Sequence, residues 1–311
     1  MTDPLAEVVS LLQPGAGYFK MVEAAGRWRL RRTEYGQPFY GVVLEGRLHL
    51  AVDGHSPVVL REGDFVLIPA ALDFTMTSFE PPPDDIRSVP EALGNSEFRL
   101  GSPDDAVDMR SLVGHCVFAS PDASLLVSLL PQFLHVRNQR RLTTLVQLVG
   151  EESRARLPAR DIVIARLLEV LFIEALRSLP ATDALPGLVR GLADERLGAA
   201  LRRMHEDPAR AWTVPQLASE AALSRSAFFE RFQRAVGVAP MEYLLTWRMA
   251  LAKDLLKRTN ASVSDVALRV GYSSASTFSV AFTRHTGVPP SRYVAPATGE
   301  AGMDERAAEP V

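Results

Sequence analysis

TVPQLASEAALSRSAFFERFQRAVG at 213–237 is written again, in altered letters, as SVSDVALRVGYSSASTFSVAFTRHTG at 262–287. Leu217-Ala218 and Val266-Ala267 stand 49 positions apart, whereas Phe228/Phe278, Phe232/Phe282, Gly237/Gly287, Pro240/Pro290 and Tyr243/Tyr293 all stand 50 apart, so one residue has been inserted at the turn. Each copy reads as a short helix, a tight turn and a second helix. Thr213 with Pro215, and Ser262 with Asp265, suit the cap and first turn of the leading helix. In the second helix the phenylalanines fall at i and i+4, which turns one face of it to a core. A small residue at the turn, Ala222 and then Gly271, lets the two helices cross closely. One copy alone would equally describe a helical hairpin inside some other core. Two copies in register, each closed by Gly-x-x-Pro-x-x-Tyr, point to a tandem helix-turn-helix.

Between the copies runs PMEYLLTWRMALAKDLLKRT, with Pro240 in the first turn and Leu244, Trp247, Leu251 and Leu255 on one stripe. This predicts a continuous helix of roughly 20 residues, about 30 Å long. Major-groove faces of B-DNA recur about every 34 Å, so a rod of that reach can present two helices to one side of a duplex. The stretch, and GYSSASTFSVAFTRHTGVPPSRY at 271–293 in particular, resembles the AraC/XylS transcription regulators over about 100 residues. The resemblance implies sequence-specific binding of double-stranded promoter or operator DNA and contact with RNA polymerase.

With 311 residues, 47% hydrophobic and 23% charged, the chain is long enough for two globular domains. Cys116 is the lone cysteine, which excludes an intrachain disulfide and a zinc-finger site and fits a reducing cytoplasm. MTDPLAEVVS lacks the features of a signal peptide, and no run of 18 apolar residues occurs, so neither export nor a membrane partner is expected. The net charge of −3 hides an asymmetry. Residues 190–296 carry 15 Arg and Lys against 9 Asp and Glu, a net +6, whereas residues 1–189 carry 18 against 24, a net −6, and the tail from 297 nets −3. A basic module on an acidic body suits phosphate binding, although many solvated faces are basic for no such reason.

The first half reads differently. A short helix is expected over Pro4 to Leu12, and from Trp28 to Met76 short strands alternate with turn signals at Glu45-Gly46, Asp53-Gly54 and Glu62-Gly63-Asp64. Leu48, Leu50 and Val52 alternate with Arg47, His49 and Ala51, which argues for a sandwich or barrel. The stretch resembles the cupin jelly roll. Metal-binding cupins carry a His-x-His, a Glu four residues on and a later His; aligned on LEG at 44–46 and IPAALDF at 68–74, those positions hold Thr33, Tyr35, Phe39 and Phe74. None matches an imidazole or carboxylate ligand, so no metal and no other cofactor is expected. The four residues could line a pocket for a small-molecule effector, or could simply fill the barrel. His115 beside Cys116 has no companion cluster to make a metal or nucleophile site.

Residues 80–110 read as loop, with Pro81-Pro82-Pro83 and Pro103-Asp104-Asp105, and strands are expected to return at 111–118 and 124–130. From Arg141 the period turns helical, and ARDIVIARLLEVLFIEALRSL at 159–179 is apolar over most of its circumference. Either the barrel covers such a helix or its twin in a homodimer does. The expected organisation is α+β and multidomain: a cupin-like barrel at 1–135, a helical dimerisation segment at 136–179, a linker at 180–190, an all-α double helix-turn-helix domain at 191–295 and a disordered acidic tail at 296–311.

In a helix-turn-helix the first turns of the second helix enter the major groove. Setting aside Phe228 and Phe232 leaves Arg225, Ser226, Phe229 and Glu230 facing outward, and the family resemblance selects Ser226, Phe229 and Glu230 in copy one with Ser276, Thr277, Ser279 and Val280 in copy two. Phe229 could touch a thymine methyl, Glu230 could accept from cytosine N4, and Arg225 could take guanine or a phosphate. Arg231, Arg234, Thr283 and Arg284 suit phosphate contacts, which position without specifying. The reading is a non-enzymatic cytoplasmic regulator with no catalytic residues. Its rivals are a cupin metalloenzyme with an accessory DNA-binding domain and a protein that coats DNA without preference.

Overall fold

The computed structural model describes residues 3–293 except 34–36, 70–71, 84–86, 119, 121–122, 156, 179–186 and 259–260. Tyr35, most of the expected linker and the acidic tail therefore lie outside the described residues. Asp3 caps the first helix, α1 (Pro4–Leu12), by accepting from the amides of Leu5 at 3.0 Å and Ala6 at 3.4 Å. Nine strands follow: β1 (Pro14–Ala25), β2 (Arg29–Arg32), β3 (Phe39–Glu45), β4 (Arg47–Val52), β5 (Val58–Arg61), β6 (Phe65–Ile68), β7 (Phe74–Ser78), β8 (Glu91–Gly94) and β9 (Glu97–Gly101). β10 (Met109–Phe118) and, after helix α2 (Ala123–Val127), β11 (Leu134–Val136) complete the barrel.

One sheet runs β11-β6-β3-β10-β1-β9-β8, and a second runs β2-β7-β4-β5. Phe39, Val43, Val66 and Val113 from the first meet Leu48, Leu50, Leu60 and Phe74 from the second in a shared apolar core. The turn signals land where expected. At Gly46 the backbone adopts φ +77°, and an added Cβ would sit 2.1 Å from the Asp108 carbonyl oxygen, so only glycine fits the turn.

Two expectations fail here. The apolar run at 124–130 forms the end of α2 and the turn after it rather than a strand, because SLLVSLL has no period that separates a short helix from a strand. The Pro-rich 80–110 segment contains the β8–β9 hairpin, whose Gly94-Asn95-Ser96 turn takes positive φ throughout.

Helices α3 (Arg140–Arg154) and α4 (Arg160–Arg177) pack on each other and on β1. The apolar circumference of α4 divides in two. Ile164, Leu168, Leu171, Phe172, Ala175 and Leu176 are buried within the chain, whereas Ile162 and Val170 stay 65% and 43% exposed. Leu188–Ala193 forms helix α5, so the linker gives way to helix two residues before its expected end. The second half continues with α6 (Glu195–Glu206), α7 (Val214–Glu220), α8 (Arg225–Val236), α9 (Pro240–Arg258), α10 (Val263–Arg269) and α11 (Ala275–Thr286), closed by a 3-10 turn at Pro290–Arg292.

Candidate nucleic-acid interface

The two motifs are built by the same local chemistry. The Thr213 amide donates to Gln216 Oε1 at 2.9 Å while the Gln216 amide donates back to Thr213 Oγ1 at 3.4 Å; Ser262 and Asp265 repeat the exchange at 3.3 and 3.1 Å. At the turn Ala222 takes φ 50° and Gly271 takes φ 83°. Alanine is tolerated because Ala222 is exposed, whereas a Cβ at Gly271 would come within 2.7 Å of both the Ala209 carbonyl oxygen and the Arg248 guanidinium. Ser224 and Ser274 then cap α8 and α11 by accepting from the amides of Ala227 at 3.3 Å and Thr277 at 3.2 Å. Phe228 and Phe232 bury their rings 5.5 Å apart, Phe278 and Phe282 5.3 Å apart. Tyr243 and Tyr293 close the copies edge-on against Phe232 at 5.9 Å and Phe282 at 5.3 Å. The 50-residue repeat is thus a repeat of packing.

With the aromatic pairs inward, the opposite faces are open. Arg225, Ser226, Phe229, Glu230 and Arg234 are exposed on α8, and Ser276, Thr277, Val280 and Arg284 on α11, with Ser279 and Thr283 half-buried. Phe229 is 39% and Val280 71% exposed, which core packing does not explain. Ser276, Thr277, Val280 and Arg284 border one groove of about 830 Å³, together with Leu245, Tyr272 and His285, which the sequence alone did not single out. The Thr277 hydroxyl is engaged at the cap, donating to the Ser274 carbonyl at 3.0 Å. Arg231, although its side chain is about half exposed, is engaged within the fold: its guanidinium is bound to Asp194, the cap of α6, and so braces two helices. Burial would raise the Asp194 carboxyl, but Arg231 and the amides of Leu197 and Arg196 outweigh it and hold the group below the usual carboxylate range.

Behind the groove Lys253 is buried, its amine 5.3 Å from the Tyr293 ring centroid. Burial, with Lys257 adding repulsion, lowers its pKa to about 8. Burial and Lys253 push His285 down as well, so both groups favour their neutral forms more than usual.

In the barrel, Phe39 and Phe74 are buried with rings 4.6 Å apart. Phe39 borders a narrow cavity of about 50 Å³, as do Trp28, Arg32, Ser111 and Lys20. Phe74 supports Phe39 from behind. Thr33 is exposed: strand alternation sends Arg32 to the cavity and its neighbour outward, so Thr33 does not line it. Trp28 Nε1 is buried without a hydrogen-bond partner among the described residues. Cys116 is buried, which pushes its thiol far up. Among the described residues no group of three or more His, Cys, Asp or Glu could hold a metal ion, and no helix is long and apolar enough to cross a membrane.

Comparison with known proteins covers both halves. The family described as Cupin matches residues 3–181, and the family described as Helix-turn-helix domain matches residues 217–295. An AraC-like transcription regulator of Streptomyces lividans is 35% identical over 299 residues, spanning 94% of this chain and 97% of its own. One of Streptomyces antibioticus is 35% identical over 302 residues, spanning 94% and 98%. The HTH-type transcriptional regulator AlkR of Acinetobacter baylyi is 26% identical over 306 residues, spanning 94% and 98%.

Proposed function

The chain belongs to the AraC-like transcription regulators, DNA-binding proteins rather than enzymes, and on that premise we propose that it reads operator DNA through the outer faces of α8 and α11. The observation that carries this reading is the shared geometry of the two motifs: buried phenylalanine pairs leave Arg225, Phe229 and Glu230 outward on one helix and Ser276, Val280 and Arg284 on the other. Arg225 can take guanine or a phosphate, Glu230 can accept from cytosine N4, and Phe229 and Val280 can pack on thymine methyls. Arg234 and Arg284 supply the salt-dependent phosphate contacts. Fluorescence anisotropy with duplex from the chain's own upstream region, against random duplex at several salt concentrations, tests it. A preference of about a thousandfold or more is expected; equal affinity would leave only coating of DNA.

In the same reading the protein is a cytoplasmic homodimer that contacts RNA polymerase and answers a small effector in the barrel. The exposed Ile162 and Val170 on α4 support the dimer, since apolar side chains at i and i+8 form a stripe a twin helix can cover. The cavity beside Phe39, with the unpaired Trp28 indole N–H, supports a compact ligand carrying one hydrogen-bond acceptor. The metalloenzyme alternative draws no support from the relatives, which are named as regulators.

A further inference from the structure

A single hydrophobic core runs without a break from α1 and α4 into the first helix-turn-helix, joining Val8, Leu12 and Leu168 to Met204, Phe228 and Trp247. The second motif has its own cluster around Phe278 and Phe282. At the seam of the continuous core sits His205 of α6, its side chain fully buried. Its Nδ1 lies 2.7 Å from Glu7 Oε2 on α1, and its Nε2 lies 2.7 Å from the Tyr243 hydroxyl on α9. The imidazole stacks on Trp247 with centroids 4.1 Å apart. One tautomer satisfies every group: the Tyr243 O–H donates to Nε2, and Nδ1–H donates to the Glu7 carboxylate.

Apolar contact alone would let α1 slide against α6 and α9. Two short hydrogen bonds at a fixed angle, in a medium of low dielectric, select one arrangement, because any other leaves a buried nitrogen or hydroxyl unpaired. Burial lowers the pKa of His205 while Glu7 and Asp3 act to raise it, and the net lies below the usual histidine value, in keeping with a neutral ring.

We propose that Glu7, His205 and Tyr243 form a relay that sets the pose of the first recognition helix, and the start of α9, relative to the barrel. These are positioning residues. They touch no DNA; their effect is to present α8 preorganised, while the second motif packs with α9 in a separate cluster. Preorganisation raises affinity by reducing what must be ordered on binding.

The test uses the full chain with paired spin labels at Asp53→Cys in the β4–β5 turn and Gln233→Cys on α8, both exposed positions; buried Cys116 stays unlabelled. Glu7→Ala and Tyr243→Phe should broaden the distance distribution and weaken operator binding by about tenfold. Glu7→Gln keeps an acceptor for Nδ1–H and should restore both to within about twofold of wild type. Tyr243→Phe retains the ring against Phe232 and so keeps the fold. Unchanged distances and affinity in Glu7→Ala and Tyr243→Phe, whatever happens to the melting temperature, would overturn the proposal. Tighter binding in either variant would overturn it too, since the pose would then be a brake.

Discussion

Phe278→Ala and Phe228→Ala delete the same side chain from equivalent places, yet they should damage different parts of the molecule. Both phenylalanines are fully buried, and Phe278 packs 5.3 Å from Phe282 and 5.5 Å from Tyr272. Removing a buried phenyl costs about 3–5 kcal/mol through lost transfer energy and the cavity left behind. In the second motif that loss falls on a small separate cluster contributed by α9, α10, α11 and the short segments beside them, Val270, Tyr272 and Tyr293 among them. A unit of that size has few kcal/mol to lose, so it should open locally while the rest stays folded. Hydrogen exchange reads this directly: amides of α10 and α11 should exchange about a hundred- to several thousandfold faster in Phe278→Ala, with α1, α4 and α6 unchanged. In Phe228→Ala the same cost enters a core shared with the barrel half, so exchange should rise in α1, α4, α6 and α8 together. Equal acceleration in α1 and α4 from Phe278→Ala would show that the two cores are one and refute the argument.

The buried Lys253 amine makes stability depend on pH. Between about pH 8 and its ordinary value of 10.5 the unfolded chain holds a proton that the folded chain has released, so stability should rise with pH across that window and lie flat below it; thermal melts of wild type and Lys253→Met check this, and an identical slope in both sinks it. In operator titrations Glu230→Ala should relax preference at one or two base pairs, each worth about 1–3 kcal/mol, whereas Arg284→Ala should weaken all sequences alike and lower the salt slope by about one; equal loss of discrimination from Glu230→Ala and Ser276→Ala would remove the asymmetry between the helices. Ile162→Glu should yield a folded monomer by light scattering, while Leu168→Glu, which places a charge in the chain's own core, should unfold the N-terminal half; a folded, dimeric Ile162→Glu would count against α4 as the dimer seam.

Much of the architecture was legible because its signals are local. The capping pairs, the i, i+4 phenylalanines and the glycine turns each act within a few residues, and all fell where their chemistry places them. What stayed hidden depends on distance or on competing periods. Glu7 and His205 meet across a sequence separation of 198, and neither residue type announces such a partner. Arg231 looks like any helical surface arginine until Asp194 is folded back beside it. Sequence shows that α4 is apolar all round without showing which side the barrel takes, so that Leu168 and Phe172 face the chain's own core emerges only from the fold. Thr33 was assigned to a pocket by family alignment, whereas pleating carries its side chain to the outside.

The unbroken core between the halves also limits how this protein can be rearranged. Two family matches, one per half, suggest interchangeable parts, and a chimera would naturally be cut near residue 187. Such a cut would strip α1 from α6 and α9 and open the faces that carry Met204 and Trp247 to water. A transplanted DNA-binding half would then need either a foreign helix bearing an acceptor where Glu7 stands or polar replacements across that face. The boundary at which this regulator can be recombined therefore lies inside its second half, along α9 after Trp247, rather than at the linker where the sequence changes character.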